Sequence, residues 1–356
     1  MSLVVFGSVN VDHVWRCRTL PRPGETAAAL ACATLPGGKG ANQACAAART
    51  ALVARSGGVT FVGAIGADDF LSERALRASG AACALTRRHD ADTGRACVLV
   101  DERGENAIAV HGGANALADA SSVPTEDARV LLLQCEIPVA ASAAAARAMR
   151  ERNPECLIFV NYAPATVVDL DLVALADVLI VNETELEAVG DAVDAAGADD
   201  GAFAERRAVY RQRAVVCTQG ARGAEMFTGD DVRRVLRNAR GAAAQDGGYY
   251  ARVGPTPLRP GEKIVDTVGA GDAFVGAFAA AVAADLDVSS CCRIASAAGL
   301  LACTQEGARP DAIASTLQRC EAQTSVVARF ASDAASDAYA TKSLCELLKS
   351  PANGEV

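Results

Sequence analysis

From Val265 to Phe274 the chain reads Val-Asp-Thr-Val-Gly-Ala-Gly-Asp-Ala-Phe. Gly269, Ala270 and Gly271 lead into Asp272, and an alanine-rich apolar run extends from Ala273 to Ala284. Such a run predicts a buried helix that starts near Ala270. Unpaired amides and the helix dipole make a helix N-terminus attractive to an anion. A carboxylate beside an anion-binding turn suits phosphoryl transfer: the amides hold phosphoryl oxygens and the carboxylate accepts a hydroxyl proton. The same residues also suit a plain helix start, with a glycine turn and Asp272 as its cap. The segment alone leaves both readings open.

Two other segments carry polar groups at useful spacing. In Asn10-Val11-Asp12 the period of two places Asn10 and Asp12 on one side of a strand, where an amide and a carboxylate can hydrogen-bond vicinal hydroxyls. Taken in isolation, the segment fits an ordinary Asx turn better. In Gly37-Gly38-Lys39-Gly40-Ala41-Asn42 the glycines allow close backbone approach to a ligand, and Lys39 and Asn42 can reach hydroxyls. A surface turn with a solvated lysine is the alternative.

The elements around these segments alternate. Leu3–Phe6 reads as a first strand, followed by a strand pair across Val14–Leu35 with Pro21, Pro23 and Gly24 between. Ala41–Arg55 reads as a helix, Val59–Ile65 as a strand and Asp69–Ser79 as a helix. Ala96–Val100 and Ala107–Val110 form a hairpin that can join the earlier pair in a small accessory sheet. Short apolar runs at Val130–Leu133, Leu157–Val160, Val178–Val181 and Ala214–Cys217 are interleaved with helical stretches such as Val139–Arg152 and Glu183–Val189. That order predicts an α/β fold with a doubly wound, mainly parallel central sheet flanked by helices, binding ligands at the carboxyl ends of its strands. Asn238–Lys263 reads as a long loop, and the chain after Thr324 as a peripheral helix or frayed tail.

Composition narrows the function classes. A net charge of -9 argues against nucleic-acid and anionic-membrane partners. The longest apolar stretch is too short to cross a bilayer, and the N-terminus lacks the basic segment of a signal peptide, so a cytoplasmic location is expected. Thirteen cysteines without a C-x-x-C pair suit reduced thiols, and His13, His89 and His111 lack zinc-ligand spacing.

The motifs fall together in the order and spacing of one family. Gly7-Ser8-Val9-Asn10-Val11-Asp12, Pro36-Gly37-Gly38-Lys39-Gly40-Ala41-Asn42-Gln43, His111-Gly112-Gly113-Ala114-Asn115, Asn182-Glu183-Thr184-Glu185 and Asp266-Thr267-Val268-Gly269-Ala270-Gly271-Asp272 resemble the ribokinase-type (PfkB) sugar kinases. Gln134-Cys135-Glu136-Ile137-Pro138, Asn161-Tyr162-Ala163-Pro164-Ala165 and Gly307-Ala308-Arg309-Pro310 are similar to its ribose-phosphorylating members. The resemblance runs from about Leu3 to Gln318.

It implies ATP-dependent phosphorylation of D-ribose at O5. Asp272 takes the place of the general base, and Gly269, Ala270 and Gly271 that of the anion hole. Asn10, Asp12, Gly38, Lys39, Asn42 and Glu136 match the ribose-binding positions. Asn182 and Glu185 match the motif that organises magnesium, through water. Asn182, Thr218, Gly220, Gly271 and Ser296 match nucleotide-binding positions. Asp266, Val268, Ala302, Gln305, Gly307 and Asp311 match a potassium site built mostly of backbone carbonyls. The accessory strands, about residues 12–36 and 94–111, match a lid that pairs subunits into a homodimer. The kinase domain is expected over residues 1–323, with an extension over 324–356.

There are departures. Ser296 stands where a larger polar residue often lies near adenine, and Tyr162 where a proline is common. The competing readings are a nucleoside kinase or another sugar kinase of the same fold, and a catalytically dead sugar-binding protein. A nucleoside kinase is expected to line its lid with aromatic rings, and these lid segments offer only Trp15.

Overall fold

In a computed structural model, the structure describes residues 2–50, 52, 57–103, 105–197, 213–228, 249–305, 307, 308, 311, 313, 316 and 326–330. The strands are β1 (Ser2–Phe6), β2 (Asn10–Arg16), β3 (Ala31–Gly37), β4 (Val59–Gly66), β5 (Ala82–Arg88), β6 (Gly94–Val100), β7 (Asn106–His111), β8 (Ala128–Gln134), β9 (Leu157–Asn161), β10 (Val178–Asn182), β11 (Ala214–Thr218), β12 (Ala224–Thr228), β13 (Tyr249–Val253) and β14 (Val326–Phe330). The α-helices are α1 (Lys39–Arg49), α2 (Leu71–Ala78), α3 (Val139–Arg152), α4 (Leu170–Leu175), α5 (Glu183–Gly197), α6 (Ala270–Ala283) and α7 (Val288–Cys303).

A ten-stranded sheet runs in the order β14-β13-β12-β11-β10-β9-β8-β1-β4-β5. Its strands from β11 to β5 are parallel, and β12, β13 and β14 add antiparallel pairs at one edge. The parallel strands are short runs of Val, Leu and Ile because both of their faces are covered. Alternate residues of one strand feed two cores. Leu3 and Val5 pack with α1, α6 and α7 on one face, and Val4 and Phe6 pack with α3 and α4 on the other. The expected α/β architecture is the observed one.

Three segments differ from the expectation. Asn238–Lys263 is not one loop: Tyr249–Val253 pairs with β12, while residues 229–248 lie outside the described residues. The chain after Thr324 contains a strand where a helix or tail was expected, because Val326–Phe330 pairs with β13. Residues 331–356 lie outside the described residues. Strand β5 was unread, since its half-exposed Ala-Cys-Ala-Leu-Thr-Arg-Arg sequence lacks an apolar run.

The second sheet is the expected accessory one, ordered β3-β2-β6-β7. β2 pairs antiparallel with β3 and parallel with β6. Asp101 closes the β6–β7 hairpin by accepting from the backbone N–H of Arg103 at 2.9 Å and of Glu105 at 3.0 Å. Asn10, Asp12 and Val14 share one face with Leu35, Ala96, Val98, Ile108 and Val110, as the strand registers require. Trp15 lies on the opposite face and is 42% exposed. Among the described residues no helix is long and apolar enough to cross a membrane.

Candidate active site

The carboxyl ends of the parallel strands share one edge of the main sheet, and β8, β9, β10 and β11 end in polar residues: Gln134, Asn161, Asn182 and Thr218. The registers place Gln134 beside Asn161 and Asn182 beside Thr218. Helix α1 crosses this edge. It begins after Gly38, whose φ of 89° lies in the left-handed region that favours glycine. Glycine is also needed there for space, because a Cβ would stand 2.8 Å from the Asn10 nitrogen.

Asp272 sits in the first turn of α6 and is buried. Its two carboxylate oxygens have different partners. Oδ2 accepts from Asn42 Nδ2 at 3.0 Å, and Oδ1 accepts from Gln43 Nε2 at 3.0 Å. Helix α6 starts at Gly269, whose φ of 77° again selects glycine. The Ala270 N–H donates to the Thr267 carbonyl at 3.3 Å, which closes the turn. Beside Gly271 there is open space: outside its chain neighbours and its own helix backbone, no heavy atom lies within 4 Å of where its side chain would begin. A tight turn, a helix start and a buried carboxylate thus occupy one corner, and the helix begins near Ala270 as expected.

The other predicted sugar-site residues converge on the same corner. Glu136 Oε2 accepts from the Ser8 hydroxyl at 2.7 Å and from the Lys39 N–H at 2.9 Å, joining β1, β8 and α1. The Lys39 ammonium is held above its ordinary range, chiefly by Asp272 against the cost of burial, with further support from Glu136 and Glu185. Asn10 is buried, and its Oδ1 accepts from Asn115 Nδ2 at 2.8 Å. Asn115 also accepts from the Val9 N–H at 2.9 Å and donates to the Val9 carbonyl at 3.0 Å. With its oxygen engaged, Asn10 keeps its NH₂ group for another acceptor. The sequence contains Asn115 in a noted motif, but only the fold shows that it orients Asn10. The Asp12 carboxylate lies over Gly37, where a Cβ would stand 2.0 Å from Oδ2.

Asn182 and Glu185 form a reciprocal cap at the start of α5, each backbone N–H donating to the other side chain at 2.8 Å. Burial raises the Glu185 carboxyl above its ordinary range, the Asn182 N–H and Lys39 pull it back, and Asp272 adds to the rise. That carboxylate therefore lies within electrostatic reach of Asp272. Thr218 follows on the neighbouring strand, donating to the Val181 carbonyl at 3.4 Å, and Gly220 opens an exposed turn beyond it.

The segments before and after this corner are tied together by Asp266. Its Oδ1 accepts from the Val268 N–H at 3.0 Å and its Oδ2 from the Gly307 N–H at 3.2 Å. Ala302 is buried at the end of α7, and Gln305 follows. The Asp311 side chain points elsewhere, to Arg49 at 2.9 Å, so any share it has in a cation site falls to its backbone. Ser296 is buried, with its hydroxyl against Thr256 Oγ1 at 3.1 Å and the Gly254 carbonyl at 3.3 Å. Tyr162 donates to the Val167 carbonyl at 3.3 Å and so pins the loop before α4. Cys135, next to Glu136, has its thiol pushed up to about 12 by burial, which makes it an inert neighbour and not a nucleophile.

The profile of the pfkB family carbohydrate kinases matches residues 1–315, and the chain belongs to that family. A bifunctional ribokinase/ribose-5-phosphate isomerase A of Fructilactobacillus sanfranciscensis is 31% identical over 301 residues; the match covers 80% of this chain and 49% of that protein, so this chain spans about half of it. A ribokinase of Arabidopsis thaliana is 30% identical over 324 residues, covering 86% of this chain and 77% of the relative. The solved structure of Arabidopsis thaliana ribokinase complexed with ribose and ATP superposes with a TM-score of 0.70 at 27% identity, covering 90% of this chain and 99% of that one.

Proposed function

We propose that this chain is an ATP-dependent ribokinase that transfers the γ-phosphoryl group of ATP to O5 of D-ribose, giving D-ribose 5-phosphate and ADP. The observation that carries the reading is the buried Asp272 carboxylate at the N-terminus of α6, held by Asn42 from the first turn of α1 that follows the glycine pair. The base and a predicted hydroxyl-binding residue share one hydrogen bond, so a sugar bound by the loop is presented to the carboxylate. Asp272 accepts the O5 proton while the Gly269–Gly271 turn receives the phosphoryl oxygens. Asn10, Asp12, Gly38, Lys39, Asn42 and Glu136 position the sugar. The nucleotide lies along Asn182, Thr218 and Gly220.

Asn182 and Glu185 suit a magnesium ion held through water. Their donor set is hard oxygen, and the Glu185 carboxylate keeps acceptor capacity beyond the Asn182 N–H. When bound, magnesium neutralises charge on the phosphates. Asp266, Val268, Ala302, Gln305, Gly307 and Asp311 form the proposed potassium site, supported by the bridge from Asp266 to Gly307.

The lid favours a small hydroxylated sugar over a nucleoside. Its site-facing side carries Val14, Leu35, Val98, Ile108 and Val110 but no aromatic ring to stack on a base, and Trp15 faces away. Ile108 and Val110 are 57% and 61% exposed, and their apolar surface supports pairing of two lids in a homodimer. The test is ADP formation with D-ribose, with a panel of hexoses and nucleosides, and with no acceptor. A ribokinase releases ADP stoichiometrically with ribose 5-phosphate; preference for a nucleoside or a hexose overturns the ribose assignment, and no acceptor-dependent turnover overturns the kinase assignment.

A further inference from the structure

Beneath Asp272 lies a chain of three buried side-chain amides that none of the roles above uses. Gln43, on α1, is fully buried, as is Gln134 at the end of β8, and Asn161 at the end of β9 is 7% exposed. Asn161 Nδ2 donates to the Ile180 backbone carbonyl at 3.0 Å. A carbonyl only accepts, so Asn161 must present its oxygen to the next member. Gln43 Nε2 donates to that oxygen at 2.8 Å and, with its second hydrogen, to Asp272 Oδ1 at 3.0 Å. The Gln43 oxygen is then left to accept, and Gln134 Nε2 donates to it at 2.7 Å. One backbone carbonyl on β10 thus dictates the orientation of every amide up to the carboxylate. Gln134 keeps this polarity although its own Oε1 is left buried without a hydrogen-bond partner, packed against Gly7.

We propose that Gln43 is a positioning residue for the Asp272 carboxylate, aimed by Asn161 and Gln134. The inference rests on the reading of Asp272 as the general base. With Oδ1 pinned from below by Gln43 and Oδ2 touched by Asn42, the carboxylate cannot rotate about its final bond without losing both partners. Its remaining lone pairs are fixed in direction before substrate arrives. Such preorganisation is felt in turnover, because misplacement of a reacting group by about 1 Å can cost 10²-fold.

The experiment compares wild type, Gln43→Met, Asp272→Asn and the double variant, measuring kcat and KM with D-ribose, ribose affinity by calorimetry, and thermal unfolding. Gln43→Met is expected to lower kcat about 10- to 100-fold with ribose affinity changed less than about 3-fold, and to cost less than about 3-fold more in the Asp272→Asn background. Gln43→Glu keeps the shape and adds a like charge beside Asp272, so the acid limb of its kcat profile moves up by about one unit or more. The charged neighbours Lys39, Glu136 and Glu185 are unchanged in every variant. A kcat within about 3-fold of wild type for Gln43→Met, or an equal loss with and without Asp272, overturns the positioning role. Should Gln43→Met fail to fold, an unmoved acid limb in Gln43→Glu overturns it instead. Full activity of Asp272→Asn refutes the base itself, which separates the two failures.

Discussion

Gly276 and Gln43 touch through their backbones: a Cβ built on Gly276 would stand 2.2 Å from the Gln43 carbonyl oxygen and 3.0 Å from the Ala46 Cβ. This is where α1 and α6 meet. Gly276 lies one helical turn beyond Asp272, so the contact that lets the helices close also brings Asp272 to Asn42 and Gln43. Gly276→Ala forces the helices apart and is expected to cost about 1–3 kcal/mol or more in stability. Turnover should fall as well, since Asp272, the proposed base, leaves its partners. Thermal unfolding together with kcat checks this; wild-type values for both would show that the contact sets nothing.

Asp272→Asn should leave the fold and ribose binding in place and remove most phosphorylation. Asparagine keeps the shape but cannot take a proton, and a general base typically contributes roughly 10²- to 10⁴-fold. Calorimetry with ribose and a coupled ADP assay measure the two effects separately. Retention of more than about a tenth of wild-type turnover means that another group takes the proton.

The parallel sheet was legible because its strands are buried on both faces and read as apolar runs, and because Gln134, Asn161, Asn182 and Thr218 interrupt those runs at their ends. The accessory sheet was legible from the prolines and glycines that punctuate its strands. The edge strands were not. β5 is half-exposed, and β13 follows a stretch of mixed composition that masks its three strand-forming residues, Tyr249, Tyr250 and Val253. Gln43 was passed over for a different reason. In an alanine-rich helix a lone glutamine normally faces water, yet every residue from Gly40 to Ala47 of α1 is buried, and only the crossing with α6 shows why. Asp311 and Ser296 were named by motif position, and the structure adds their side-chain partners, Arg49 and Thr256.

Asp12 should govern sugar affinity. It lies on the same face of the accessory sheet as Asn10, and its carboxylate sits over Gly37, close to the start of α1 that carries Lys39 and Asn42. Asp12→Ala leaves the substrate's hydroxyls and the site's other polar groups without a partner, for an expected loss of about 2 kcal/mol or more in ribose binding. ATP affinity should be nearly unchanged. Equal losses for both ligands in calorimetry would point to general destabilisation and remove Asp12 from the sugar site.

Lys39 should leave a signature in alkaline stability. Its folded-state pKa is raised above 10.5, first by Asp272 and then by Glu136 and Glu185, against the cost of burial. A raised pKa means that the folded state holds the proton more tightly, so this contribution is complete below the unfolded value and fades as pH rises through the folded one. The stability difference between wild type and Lys39→Met should therefore be constant near neutrality and shrink only in the alkaline range. Denaturant unfolding across that range measures it; a difference that already changes between pH 6 and 8, about four to two units below the ordinary lysine value, would assign the effect to another group.

Potassium should activate turnover without touching substrate. Asp266 accepts from Val268 on one side and Gly307 on the other, holding the segment before Gly269 against the turn after α7. Gly269 packs so closely on Ala308 that a Cβ would stand 2.5 Å from the Ala308 Cα, so the turn is a wall of the proposed anion hole. A large, weakly hydrated cation bound by carbonyls of both segments would stiffen that junction and fix the amides where phosphoryl charge develops. The effect should fall mainly on kcat, since the ion lies outside the sugar site. Magnesium acts differently, on the phosphates themselves. The measurement is activity at constant ionic strength, with potassium replaced by a bulky organic cation that carbonyls cannot enclose. Constant ionic strength removes simple screening as an explanation. A several-fold loss of kcat in the organic buffer, restored by potassium and abolished in Asp266→Ala, is expected; equal rates in the two buffers would rule the site out.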